Sequence, residues 1–277
     1  MHQTYNWKTA KGKNIFGQSW LPDGDPAAVI CLVHGQGEHS SRYAHVADFF
    51  NKNGVAVFTC DLIGHGRSEG IRGHVNSFSE YIENVELMYD EARKLFSAKP
   101  FFIYGHSMGG NIAINHALYT IEDIKGYIIS SPWIKLAFEP PAWKVALGKT
   151  VKSIFPALQQ PTGLDAAKIS HDTEEVKKYK TDKLNHGKIT AAGFFEILTR
   201  GKDILVHADK LHFPILLLHG TGDGLTSHLA SRELAELRKD IITYKEFEGL
   251  YHEMHNEPEK QQIFDAILNW INLQLKR

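Results

Sequence analysis

A series of short, almost unbroken apolar runs constrains this chain most. AAVICLVHG (27–35), VAVFTCD (55–61), PFFIYGHS (100–107), KGYIISSP (125–132) and FPILLLHG (213–220) show no polar alternation, the pattern of strands buried on both faces. Helical spacing fills the intervals. Tyr43, Val46, Ala47 and Phe50 lead to a stop at Asn53-Gly54, and Tyr81, Ile82, Val85, Met88, Tyr89, Ala92 and Leu95 mark an amphipathic helix over 79–97. NIAINHALY follows the third run, a helix separates FPILLLHG from the strand ITYKEFEG (242–249), and a last helix follows Pro258. TYNWKT and NIFGQSWL flank Gly12 as a hairpin would. Strands alternating with helices predict an α/β fold: a mostly parallel sheet wrapped on both faces. The length of 277 residues fits one such domain with an insertion.

The insertion is visible as a break in rhythm. Residues 133–212 offer no convincing buried strand but helical pattern and exposed-looking aromatics: Trp133, Phe138, Trp143, Phe155, Phe194 and Phe195. They read as a helical cap between core segments 1–132 and 213–277. Inside it, EEVKKYKTDK reads as a solvated helix face without a function. The aromatic and aliphatic content of the cap suggests a roof over an apolar tunnel, with an exposed patch able to touch membranes or lipid aggregates.

Composition excludes several classes. Lys plus Arg number 31 against 32 for Asp plus Glu, a balance that gives nucleic acid no footprint. The two cysteines, Cys31 and Cys60, lie in apolar runs and read as buried reduced thiols. The N-terminus lacks a basic start followed by an apolar stretch, and no run reaches the ~18 apolar residues of a membrane span. The expectation is a cytoplasmic protein.

Gly105-His106-Ser107-Met108-Gly109 carries the most specific chemistry. It has the G-x-S-x-G form between a strand and a helix, a tight turn that holds a serine hydroxyl up at the strand end. A chance glycine turn is disfavoured by that context. His34-Gly35-Gln36-Gly37 also follows a strand and is read as an anion hole rather than a plain glycine turn; the donors would be the N–H groups of Gln36 and Met108. Asp223, in HGTGDGLTS, follows a later strand, whereas the competing Asp203 and Asp209 precede it. An Asx-turn is the plainer reading of Asp223. Among 16 histidines, His252 stands after the last strand and completes the order Ser…Asp…His, with His255 as rival base. His34, His106 and His219 are expected to assist turns at the sheet edge. HEMH (252–255) lacks the spacing of zinc helices, so no metal is expected, and DLIGHGRS (61–68) lacks the spacing of a dinucleotide or phosphate loop. The latter reads as a rigid loop beneath the site. Glu38 and Arg42, one helical turn apart, are either a surface ion pair or ligand contacts.

HGQGEHSSRY (34–43), DLIGHGRSEG (61–70), GHSMGG (105–110), HGTGDGLTS (219–227) and YHEMHNEP (251–258), in that order, resemble the α/β-hydrolase superfamily, and within it the monoacylglycerol lipase and lysophospholipase-like branch. The resemblance implies an eight-stranded, mostly parallel sheet with an inserted helical cap. It implies Ser107 as nucleophile, Asp223 as acid, His252 as base, and the Gln36 and Met108 N–H groups as oxyanion donors. Glu38, Arg42 and His255 match positions that contact a glycerol head group. Gln36 is larger than the small residue often found there and is expected to narrow or polarise the head-group end. The implied activity is hydrolysis of monoacylglycerol through an acyl-enzyme, without cofactor. A lysophospholipase or general carboxylesterase is the alternative, and a hydrolase-fold receptor or scaffold the alternative outside enzymes. Serine in the elbow, where epoxide hydrolases and dehalogenases carry Asp, argues against those branches.

Overall fold

The structure, a computed structural model, describes residues 1–277. Strands β1 (His2–Lys8) and β2 (Asn14–Trp20) form the expected antiparallel hairpin. The apolar runs become β3 (Ala28–Val33), β4 (Val55–Cys60), β5 (Phe101–His106) and β6 (Gly126–Ser130). Helices α1 (Ala44–Lys52), α2 (Ser79–Phe96) and α3 (Met108–Tyr119) lie between them.

The next segment holds α4 (Ala142–Ile154), β7 (Gln159–Pro161), α5 (Thr173–Thr181), β8 (Lys188–Thr190) and α6 (Ala191–Val206). The chain then returns through β9 (Ile215–Gly220), α7 (His228–Leu237), β10 (Ile242–Phe247) and α8 (Lys260–Leu275). Eight strands make one sheet in the order β1-β2-β4-β3-β5-β6-β9-β10, parallel from β4 to β10. The antiparallel pairings are β1 with β2 and β2 with β4, so β2 alone runs against the rest of the sheet.

Alternate residues of each central strand feed two separate cores, which explains the unbroken apolar runs. Val29, Cys31 and Val33 pack with α2, α3, α6 and α7. Ala28, Ile30 and Leu32 point the other way and pack with α1 and α8. Burying each such Val, Leu or Ile contributes roughly 1.5–3 kcal/mol. Cys31 and Cys60 are free and buried, and burial pushes both thiols up.

The stretch 133–212 departs from its sequence reading in three ways. β7 and β8 pair as a short antiparallel ribbon, invisible beforehand because Gln159, Gln160 and Pro161 carry no apolar signal. Trp133 and Phe195 are buried, while Phe138, Trp143 and Phe155 are exposed. Thr190 caps α6 by accepting from the Gly193 N–H at 3.1 Å, and Ile197 and Ile204 of that helix join the same core as α3. No helix is long and apolar enough to cross a membrane.

Candidate active site

Ser107 occupies the one-residue corner between β5 and α3, at φ +56° and ψ −118°. Apart from Ser131, it is the only non-glycine residue at positive φ. Such a conformation costs about 1–3 kcal/mol and persists where surroundings enforce it. Here the Ser107 N–H donates to the Ser130 carbonyl at 3.0 Å, and the Trp133 N–H donates to the Ser107 carbonyl at 2.9 Å. The flanking glycines are sterically required. A Cβ at Gly109 would strike the Val33 carbonyl, and one at Gly105 would strike the Gly109 carbonyl.

Three loops from distant parts of the chain meet at this corner. His252 Nε2 lies 2.9 Å from Ser107 Oγ, and His252 Nδ1 lies 2.7 Å from Asp223 Oδ2. Asp223 Oδ1 accepts from the Leu225 and Thr226 N–H groups at 2.7 and 3.0 Å. Its Oδ2 also accepts from the Thr226 hydroxyl at 2.8 Å and from His219 Nε2 at 3.0 Å. Asp203 and Asp209 take no part in this network; Asp203 pairs with Arg200 on α6. Burial by itself would raise the Asp223 carboxyl, but His252 and His219 hold it well below the usual range. Burial would lower His252, but the Asp223 charge outweighs it and raises the imidazole above its ordinary value.

The loop after β3 closes the other side. A Cβ on Gly35 would sit 3.1 Å from Ser107 Cβ, so the backbone passes beside the serine because residue 35 is glycine. The Leu62 N–H donates to His34 Nε2 at 2.9 Å, which assigns the proton to Nδ1, and that nitrogen donates to the Gly35 carbonyl at 2.8 Å. The Gly35–Gln36 peptide is thereby fixed through its oxygen. The Gln36 N–H donates to no protein acceptor, and Met108 opens α3, where an N–H has no intrahelical partner. The 61–68 loop thus braces the site from below, as expected. Asp61 anchors it, accepting from the Ser40 and Arg67 N–H groups at 2.8 and 2.7 Å.

A buried serine, imidazole and carboxylate in hydrogen-bonded series, at the end of a parallel strand, agree with a match along the sequence. The model of the family described as "Serine aminopeptidase, S33" matches residues 24–259. The chain belongs to that family of α/β-hydrolases. A monoacylglycerol lipase of Mycolicibacterium smegmatis is 33% identical over 94% of this hydrolase and 93% of its own length. Human monoglyceride lipase is 34% identical over 95% and 88%. The crystal structure of Paleococcus ferrophilus monoacylglycerol lipase is 31% identical, covers 98% of this hydrolase and 99% of that chain, and superposes with a TM-score of 0.85.

The expected head-group residues are placed differently from their sequence reading. Glu38 does line the cavity at Ser107, but both its oxygens are engaged: Oε1 by the Gly35 N–H at 2.7 Å and the Tyr43 hydroxyl at 2.8 Å, Oε2 by Arg42 at 2.5 Å. Arg42 is held in a two-pronged pair with Glu253 at 2.7 and 2.8 Å and does not line the cavity. Its pairing with Glu38 is buried, which corrects the surface ion-pair reading.

His255 is corrected more firmly. It has no exposed surface, lies outside the cavity lining, and sits against Tyr43 and His106 with ring centroids 4.8 Å away. Burial pushes it down to about 3, so it is a neutral packing group, and the rival base is excluded by position. His106 and His219 do more than turn the chain: the first lines the cavity, and the second binds Asp223.

Sequence reasoning missed Glu253, Tyr179 and Thr226. Glu253 follows His252 and lines the cavity. Burial would raise its carboxyl, but Arg42 holds it well below the usual range. Tyr179 comes from the run read as a solvated face and lines the cavity with Arg42 over its ring at 4.9 Å. The cavity is narrow, with a volume of about 40 Å³. Its lining combines polar Glu38, Glu253, Tyr179 and Gln36 with apolar Trp133, Leu136, Leu164, Ile169 and Leu225.

Proposed function

We propose that this serine hydrolase cleaves monoacylglycerol to fatty acid and glycerol. The carrying observation is the mixed lining of the cavity at Ser107, which offers apolar side chains to an acyl chain and polar ones to a small hydroxylated alcohol. His252 takes the Ser107 proton as the hydroxyl attacks the ester carbonyl, and Asp223 fixes the imidazole tautomer and stabilises the imidazolium. The Gln36 and Met108 N–H groups receive the oxyanion. Glycerol leaves with the proton from His252, and water then attacks the acyl-enzyme by the same route. The exposed Trp143, Leu147 and Ile154, on one face of α4, and neighbouring Phe155 would let the cap touch a lipid surface transiently.

Lysophosphatidylcholine hydrolysis is the second reading. Glu38 and Glu253 share the single guanidinium of Arg42, so the polar wall carries excess negative charge that suits a choline cation and opposes the phosphate beside it. Parallel kcat/KM measurements on monoacylglycerol, lysophosphatidylcholine and p-nitrophenyl esters of equal acyl length test the choice. The proposal expects monoacylglycerol to exceed the lysophospholipid. The opposite order would promote the second reading, and turnover of neither natural lipid would leave a general carboxylesterase. An inert protein that resists a fluorophosphonate would leave a receptor or scaffold.

A further inference from the structure

The loop that carries the Gln36 N–H is hinged on both sides. Gly35 precedes it, and Gly37 follows in the left-handed region at φ +77°. Glycine on each side removes the local steric bias that would hold the intervening peptides, so their orientation must be imposed from outside. The core supplies two restraints, His34 on the Gly35 carbonyl and Glu38 on the Gly35 N–H. The cap supplies the others.

Gln36 Nε2 donates to the Lys188 carbonyl of β8 at 3.0 Å, and the His186 N–H donates to the Gly37 carbonyl at 2.8 Å. A Cβ on Gly37 would strike the His186 carbonyl, so the two segments are in backbone contact. One step further, His39 Nε2 pairs with Asp182 Oδ2 at 2.9 Å. A loop with little stiffness of its own is therefore fastened to residues 182–190 by a side chain at the position that also offers the oxyanion N–H.

We propose that the Gln36 side chain is a positioning residue that ties its own backbone N–H to the cap strand β8, so that the seated cap completes the oxyanion hole. This rests on the serine-hydrolase reading of Ser107 and Gln36 given above. The amide holds the Lys188 carbonyl, while the backbone N–H of the same residue, next to the Gly35 that passes beside Ser107, has no protein acceptor. Losing the tether leaves the fold and the cavity in place but lets the Gln36 peptide sample orientations that miss the oxyanion.

Gln36→Met keeps the length and volume while removing the donor. Gln36→Asn keeps the amide but falls short of Lys188. Both are to be measured per active site titrated with a fluorophosphonate, beside wild type. Removing an oxyanion donor outright costs about 10²–10³ in kcat, so loosening one is expected to lower kcat by roughly tenfold. The loss should be equal for p-nitrophenyl acetate and monoacylglycerol, with KM little changed. Affinity for an alkyl boronic acid, which forms a tetrahedral anion on the serine, should fall by the same factor. A purely structural role would lower Tm without moving that affinity, and would overturn the proposal. So would wild-type kcat in Gln36→Met, or a loss confined to KM for glycerol esters. Failure of the wild-type protein itself to label or turn over would instead remove the serine-hydrolase reading beneath it.

Discussion

The imidazoles of His219 and His252 converge on one oxygen, Oδ2 of Asp223, at 3.0 and 2.7 Å. Only His252 continues to the serine; His219 ends on Ser231 Oγ at 2.8 Å. Burial lowers His219, so it is a neutral N–H donor, whereas His252 is raised by the Asp223 charge after burial has opposed it. With the Thr226 hydroxyl, three donors on one oxygen divide its negative charge.

The acid side of the pH profile follows from that sharing. The base must be neutral to accept the serine proton, so kcat/KM falls as pH drops through a His252 value raised above the ordinary 6.5. His219→Phe removes one donor and leaves more charge facing His252. The acid limb for a p-nitrophenyl ester should therefore move to higher pH. An unmoved limb, or one displaced downward, would show that His219 does not share the Asp223 charge.

Arg42 holds two buried carboxylates, Glu38 and Glu253. Breaking a buried ion pair by removing one partner costs about 3–5 kcal/mol, because the remaining charge is left uncompensated. Arg42→Ala should lose at least that much stability in urea unfolding, before any change in substrate preference is considered. A loss under about 1 kcal/mol would mean that the carboxylates find other partners or water.

The two late histidines should separate cleanly. His252→Ala removes the base and should abolish turnover of every ester, activated or natural. His255→Ala removes a buried ring packed on Tyr43 and His106, so Tm should fall and all esters should be affected alike. Selective loss of glycerol esters in His255→Ala would restore a head-group role that its burial denies.

The sequence made the central strands legible because burial on both faces leaves no alternation, as Val29 to Val33 show by feeding two cores. Ser107, Asp223 and His252 were legible because each follows a strand in a fixed order. Tyr179 was not: its neighbours are charged, and only the three-dimensional return of α5 brings its ring to Arg42. Glu253 pairs with a residue 211 positions away, a relation no local spacing encodes. His219 was one of 16 histidines, and its hydrogen bond to Asp223 distinguishes it only in space.

Acyl-chain length probes the apolar wall. Each methylene buried among Trp133, Leu136, Leu164, Ile169 and Leu225 should add up to ~0.8 kcal/mol to transition-state binding. kcat/KM should rise from acetyl through medium chains and level off when the cavity is filled. A flat series would mean that the acyl chain lies outside it.

The account stands on Ser107 as the attacking group, and intact-mass analysis after fluorophosphonate treatment tests that most directly. Wild-type protein should gain a single adduct on Ser107. Ser107→Ala should gain none and should lose kcat on monoacylglycerol by roughly 10⁴-fold or more. An adduct that persists in Ser107→Ala, or turnover that survives it, would contradict the account.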